Sequence, residues 1–574
     1  MRQAADSFRE PSGGPVTLHL PLRAHATLAA ITLALAPWPA SHAQQAGLTS
    51  VPDSAVARID RAFAALGGPD APGCAIGLSE QGRPVLTRAY GMANLEYGVP
   101  NTAETIFESG SVAKQFTATA MMLLVQDGKL SLDDDVRKYL PEVPDFGKKI
   151  TIRNLLTHTS GLRDQWGLLG LRGSPPGSQV HSFATILDLV SHQKALNFDP
   201  GAEYLYSNTG YTLAAIIVQR VSGQPFATFT EERMFKPLGM TNTRWRADFT
   251  TVVRNRATAY SGTAAAGFHL DMPFTNVIGN GGLLTTVGDL LKWNAFLDAP
   301  PAALGGPTLV QTLETPMIFN NGRKSGYALG LSVATRDGIR EVSHGGATAG
   351  YRTWLARYPE RGMSVAVLCN LASANPTSLG NQAMDVIMPR PAASPVAAAV
   401  GTMTDSELAP YVGLFRTRGS QNLIRTVVHD GKLVTELPVA STPTRLAPDR
   451  FRALGQEMIF RRDGGRVRDV LLVSDGDTTR FEPVAAVSPS AVQLASYAGS
   501  YWSDELDTRF TITARDGALV MRSRLGEETL LTPAFAEAFT SQAGTVIFSR
   551  DARGKVSGFG IWAGRIRDVR FRRE

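Results

Sequence analysis

Apolar positions along the chain change their period several times, and the changes divide it. ATLAAITLALA, after Arg23, is uniformly apolar but too short to span a bilayer. From about residue 44 to 390, strand-like runs such as CAIGLSE and MSVAVLCN mix with helix-period stretches such as TATAMMLLVQDG and YTLAAIIVQRVSG, separated by glycine-rich turns. MPRPAASPVAAAVG carries neither period, and residues 388–404 read as a linker between domains. Beyond it, β-propensity runs are punctuated by Asp-Gly or Gly-Gly hairpin signals, as in IRTVVHDGKLVTEL and RFTITARDGALVMRS.

That last region repeats itself. Leu408, Tyr411, Gly413 and Phe415 recur as Leu494, Tyr497, Gly499 and Tyr501 at an offset of 86, and Asp430-Gly431 recurs as Asp516-Gly517. Phe460, Arg462 and Asp463 recur as Phe548, Arg550 and Asp551 at an offset of 88. Two copies of one module are expected, 405–486 and 487–574, each a small antiparallel β-barrel without an amphipathic helix. Their expected role is to brace or cover the neighbouring domain, 44–387. The C-terminal run GRIRDVRFRRE interleaves Arg565, Arg567 and Arg570 with Ile566, Val569 and Phe571, as a terminal strand with one wet face would.

Composition adds little: 574 residues, 43% hydrophobic and 19% charged, describe ordinary globular material. The net charge of +6 is dispersed among acidic neighbours, which argues against nucleic-acid binding. The leader is more informative. A basic start, the short apolar run and Ser41-His42-Ala43 read as a signal peptide over 1–43, cleaved after Ala43, which places the protein in the periplasm or secretes it with no transmembrane anchor after processing. An exported protein can join its only cysteines, Cys74 and Cys369, but two buried thiols are the default expectation because sequence does not bring them within bridging range. Oligomeric state is not encoded in any visible pattern.

Candidate chemistry begins at ESGSVAKQF, where Ser111 and Lys114 stand at the threshold of an apolar helix. Residues three apart share a helix face, so hydroxyl and amine point into one space. A serine needs an adjacent base, and a lysine serves only when desolvation or nearby positive charge lowers its pKa. Tyr206-Ser207-Asn208 follows 95 residues after Ser111, and His344-Gly345-Gly346 a further 138 after Tyr206. Each precedes or lies within a regular element.

With these motifs in this order, residues 55–390 resemble the penicillin-recognising serine hydrolases: class C β-lactamases, D-alanyl-D-alanine carboxypeptidases, D-aminopeptidases and related esterases. ITIRNLLTHTSGL, FDPGAEYLYSNTGY, MFKPLGMTNT and GNGGLLTTVGDLLKW look like that family's connecting signatures. The resemblance implies an α/β fold, an antiparallel sheet flanked by helices with a helical subdomain. It also implies Ser111 as nucleophile, Lys114 and Tyr206 as proton-transfer groups, Asn208, His344 and Gly346 at the substrate, and an oxyanion hole from the backbone N–H groups of Ser111 and Ala347. No metal or organic cofactor is expected. The two trailing modules resemble the layout of the D-aminopeptidase branch.

Rival motifs are weaker. Ser191 and Lys194 read as a solvated helix end, and His429 as a hairpin turn whose repeat partner is Arg515. Lys324-Ser325-Gly326 resembles the family's usual third motif, but its position favours His344 instead. His158 reads as structural. The expectation is therefore an exported serine hydrolase that forms an acyl-enzyme on Ser111 and cleaves small amides, peptides or esters, D-aminopeptidase-like first. Esterase, β-lactamase and carboxypeptidase activities are the enzymatic alternatives. The non-enzymatic one is an inactive penicillin-binding or wall-sensing module.

Overall fold

The computed structural model describes residues 51–388 and 403–574, apart from positions 67, 438, 454, 475, 476 and 543. The leader with its cleavage point and most of the 388–404 linker lie outside the described residues.

A six-stranded antiparallel sheet organises the first domain. Its strands are β1 (Cys74–Glu80), β2 (Arg83–Tyr90), β3 (Ser332–Arg336), β4 (Ile339–Thr348), β5 (Tyr351–Tyr358) and β6 (Met363–Cys369), in the order β3-β4-β5-β6-β1-β2. The first and last strands of the sheet in chain order thus meet inside it, where β1 pairs with β6. Alternation explains why CAIGLSE is apolar throughout: Cys74, Ile76 and Leu78 enter one core while Ala75 enters another, so both faces are covered. Helices α1 (Asp53–Phe63) and α6 (Pro376–Ile387) belong to the first core, with Ile59, Phe63, Ala383 and Met384 buried.

The second core is larger and takes in α2 (Ala113–Gln126), α3 (Gln165–Arg172), α4 (Asn208–Ser222) and α5 (Val287–Asp298). Gly77 of β1 shows how close that packing is, since a Cβ there would stand 2.9 Å from the Leu291 Cδ1 of α5. The expected sheet with flanking helices and a helical subdomain is present.

The buried-thiol expectation is corrected: Cys74 and Cys369 form a disulfide. They stand directly opposite each other in the β1–β6 register, a juxtaposition across 295 residues of sequence that no local pattern could reveal.

The repeats are also corrected in part. The second, with eight strands between residues 499 and 573, is a closed barrel; the first, with eight strands between 413 and 484, has the same strand order but one missing ladder, so it is an open, curled sheet. In the barrel, strand Ala518–Arg522 pairs with Glu528–Phe535 over four positions. The equivalent strands of the first module, Lys432–Leu437 and Thr444–Ala447, form no ladder, and only a bridge from Thr435 to Ser441 spans the gap. The second of those strands has only four residues and is preceded by Pro443, which has no N–H to donate. Each module opens with a short helix, Asp405–Leu408 or Ala491–Tyr497, started by a capping box from Thr404 or Ser490. The sequence reading had missed both.

Candidate active site

Ser111 sits in a single 3-10 turn, Gly110–Val112, that runs directly into α2. One turn on, Lys114 is completely buried. Its Nζ lies 3.1 Å from Ser111 Oγ, 3.0 Å from Asn208 Oδ1 and 2.6 Å from the Asn280 carbonyl. Burial holds the ammonium well below the ordinary lysine value; Asp164 opposes that shift and Arg565 adds to it. A neutral amine fits these partners well. Its two N–H groups are taken up by Asn208 and Asn280, which leaves the lone pair for the Ser111 hydroxyl.

Asn208, the first residue of α4, is itself held from behind. Its backbone N–H and its Nδ2 both donate to Asp164 Oδ2, at 2.7 and 2.9 Å. That fixes the amide so that Oδ1 faces the lysine. Asp164 was not singled out from the sequence; its visible signal was the N-cap of α3, where it accepts from the Trp166 N–H.

Tyr206 forms a hydrogen bond with Ser111, and its ring lies 4.8 Å from Lys114 Nζ and beneath the Arg565 guanidinium, whose Cζ is 4.5 Å from the centroid. Burial raises the phenol well above its usual value against the effect of the Ser111 bond, so it rests protonated. His158 supports the ring at 4.2 Å and accepts the Ser207 N–H on Nδ1. It is buried behind that ring and forms no hydrogen bond to Ser111 or Lys114 among the described residues.

His344 lies in β4, and Lys324 falls outside the strands. The imidazole Nδ1 lies 2.6 Å from the Gly345 carbonyl and Nε2 lies 2.8 Å from Tyr327 Oη. A carbonyl can only accept, so Nδ1 carries the proton and Nε2 accepts from the tyrosine. Burial, helped by Lys114, pulls the imidazole down to about 4, leaving it neutral near pH 7. Tyr327 was missed because it follows the Lys324-Ser325-Gly326 stretch that position had ruled out.

Glycines let β4 pass against the serine turn. A Cβ on Gly346 would be 2.0 Å from the Ser109 carbonyl and 3.2 Å from Ser111 N, and one on Gly110 would be 2.6 Å from Ala347 N. Neither position tolerates a side chain, and the backbone nitrogens of Ser111 and Ala347 are thereby drawn to the same small region. Ser111, Tyr206, Asn208, His344, Gly346 and Ala347 all line one cleft of about 970 Å³. The structure leaves the rivals apart from it: Ser191, Lys194 and His429 are exposed on a helix end and a hairpin. Among the described residues, no cluster of histidine, cysteine or acidic side chains could hold a metal ion.

Arg565 lines the same cleft, from the hairpin joining the barrel's last two strands, Val556–Ala563 and Ile566–Arg573. The expected wet face of that terminal strand is corrected at one position: Arg567 is buried and paired with Glu203 at 2.9 Å, whereas Arg565 is exposed as expected but faces the cleft.

A sheet packed between helices, with a serine and a desolvated lysine at the start of a buried helix, defines a serine hydrolase of the β-lactamase and transpeptidase class. The Beta-lactamase family model matches residues 59–384, more than half of the chain, and the protein belongs to that family. It is similar to a D-aminopeptidase of Cereibacter sphaeroides (strain KD131), 30% identical over 78% of this chain and 82% of the relative. A D-aminopeptidase of Brucella anthropi is 26% identical over 88% of this chain and 95% of its own length. The octameric penicillin-binding protein homologue from Pyrococcus abyssi shares the fold, with a TM-score of 0.55, 24% identity, and coverage of 75% of this chain and 99% of that one.

Proposed function

We propose that this hydrolase attacks small amides and short peptides with Ser111, forming an acyl-enzyme that water then cleaves. The observation that carries the proposal is the coordination of Lys114: a buried amine whose two hydrogens are engaged and whose lone pair faces the serine. Ser111 gives its proton to Lys114 as Oγ adds to the carbonyl carbon. The N–H groups of Ser111 and Ala347 receive the developing oxyanion. Tyr206, protonated at rest and bonded to Ser111, passes its proton to the departing amine and is reprotonated with the one Lys114 took from Ser111, so that both groups return to their resting states. Similarity to the two D-aminopeptidases supports D-configured substrates. His344, neutral and tied to Tyr327, is a poor anchor for a substrate carboxylate and instead shapes the wall beside β4. The short apolar run of the leader sequence supports a reaction outside the cytoplasm.

The test is labelling of Ser111 by a neutral fluorophosphonate, with turnover of D- and L-amino-acid anilides measured beside it. Ser111→Ala should abolish labelling. Lys114→Met should slow it and lower kcat/KM by roughly 10²–10⁴-fold. Wild-type protein that stays unlabelled while a control hydrolase reacts would rule out the nucleophile.

A further inference from the structure

Three guanidinium groups and two carboxylates line the cleft, and they do not cancel. Arg246 holds Glu108 with hydrogen bonds of 2.8 and 3.0 Å. Arg352 feels the charge of Asp271 and gives its own N–H groups to the carbonyls of Ala349 and Tyr351. Arg565 forms no ion pair among the described residues, and its guanidinium lies exposed over Tyr206.

Its position is built rather than incidental. The Arg565 carbonyl accepts from Asn197 Nδ2 at 3.1 Å and from the Asp164 N–H at 3.4 Å. The next residue, Ile566, is buried and would touch a Cβ on Gly167 of α3 at 3.2 Å. The barrel thus plants one unmatched cation a single tyrosine ring away from Ser111. A guanidinium in a cleft is matched best by a planar carboxylate, which it can grip with two parallel hydrogen bonds. A free ammonium at the same place would be repelled.

We propose that the substrate carries a carboxylate that seats on Arg565 while Ser111 attacks its amide carbonyl. This rests on the hydrolase reading above and narrows it, because it favours acidic substrates over those that offer only an amine. The carboxylate can belong to the acyl part or to the leaving amine, and the test separates the two.

Four amides would be compared as protectants of the full-length protein against neutral fluorophosphonate labelling: acetyl-D-alanine anilide, succinyl-D-alanine anilide, D-alanine anilide and the D-alanine amide of 4-aminobenzoate. The expected result is protection at about tenfold lower concentration by one carboxylate-bearing member than by its uncharged counterpart. Succinyl over acetyl would place the carboxylate on the acyl side; aminobenzoate over anilide would place it on the leaving side. Arg565→Glu should reverse that ratio, Arg565→Gln should flatten it, and Arg565→Lys should keep part of it. Thermal melting of each variant separates loss of the fold from loss of the cation. Equal protection by both members of each pair in the wild type, or a preference that survives Arg565→Glu in folded protein, would overturn the proposal while leaving the hydrolase reading intact. Absence of wild-type labelling would instead remove the hydrolase reading and this inference with it.

Discussion

The two C-terminal repeats descend through the same strand order and end in different relations to the rest of the molecule. The first keeps a small core of its own, built around Tyr411, Phe415, Phe451 and Phe460, and meets the barrel through Leu414 and Leu423 against Ala534 and Phe535. The barrel's core, with Tyr501, Phe548, Ile566 and Phe571, is continuous with that of the hydrolase domain. One missing ladder leaves the first module open, whereas the closed module also supplies a cation to the active-site cleft. Repetition of sequence therefore did not preserve role: the barrel has become part of the site, and the first module buttresses the barrel.

The sharpest way to break that comparison is through the ion pairs. Arg163, just before the start of α3, is buried; it bonds Glu505 of the barrel at 3.0 Å, the Arg567 carbonyl at 2.9 Å, the Asp568 carbonyl at 3.2 Å and the Ala195 carbonyl. Burial pushes Glu505 up and Arg163 down, so each depends on the other to stay charged. Arg163→Met should cost about 3–5 kcal/mol, because it strands a buried carboxylate. In the first module Asp469 is shared by Arg461, Arg468 and Arg480, and Arg461 is partly exposed. Arg461→Met should cost less than about 1 kcal/mol. Denaturant unfolding of the two variants checks the contrast, and equal costs would mean that the barrel is no more integral than its neighbour.

Much of this was legible beforehand for a physical reason. Ser111 and Lys114 are one helical turn apart, and Tyr206, Asn208 and His344 sit in short motifs whose local geometry is written in adjacent residues. The repeats were legible because hairpin turns impose Asp-Gly at fixed intervals. What was hidden depends on distant packing. The Cys74–Cys369 pairing follows from a register between the first and last strands of the sheet. Asp164 and Tyr327 reach the site from distant segments, where they hold Asn208 and His344 by hydrogen bonds. Arg565 lies 359 residues beyond Tyr206, and its side chain reads as surface until the barrel docks. The open first module turns on a single short strand, which the shared hairpin signals could not distinguish from its closed twin.

Acid should act on the hydrolase domain first. His344 has a folded value of about 4, below the ordinary 6.5, so the unfolded chain binds its proton at higher pH than the native one. The stability this contributes is complete above about pH 6.5 and is lost as pH falls to 4, about 3 kcal/mol in all. His344→Gln should flatten the pH dependence of unfolding in that window. A wild-type unfolding curve that does not change between pH 6.5 and 4 would contradict the burial of the imidazole.

The tighter strand packing of the barrel can be tested with one residue. Gly544 of the barrel has φ +115°, and a Cβ there would stand 2.2 Å from the Trp562 carbonyl. At the repeat offset of 88 the first module has Gln456 instead. Gly544→Gln should cost about 2 kcal/mol by forcing strained backbone and a steric clash. The reverse exchange, Gln456→Gly, should cost less than about 1 kcal/mol, the entropic penalty of glycine in a strand. If the two exchanges cost the same in unfolding measurements, close packing at this position does not distinguish the modules.

The finest test asks whether the barrel's charge is felt by the catalytic base. Arg565 is one of the groups that hold Lys114 low, after burial and against Asp164. Activity should rise with pH as Lys114 loses its proton and then level off, which gives kcat/KM an acid limb. Arg565→Met removes a positive neighbour, so the ammonium becomes easier to keep, the Lys114 pKa rises and the limb moves to higher pH. The shift should be under about one pH unit, because the guanidinium is exposed and screened by water and salt. It should shrink further as ionic strength rises. Arg416 of the first module lies over Phe535 of the barrel, so Arg416→Met should leave the limb where it was. A substrate without a carboxylate must be used throughout, so that a change in binding to Arg565 does not pass for a change in Lys114. A limb that stays fixed in Arg565→Met would mean that the barrel touches the cleft without tuning its chemistry, and the two modules would differ in position alone.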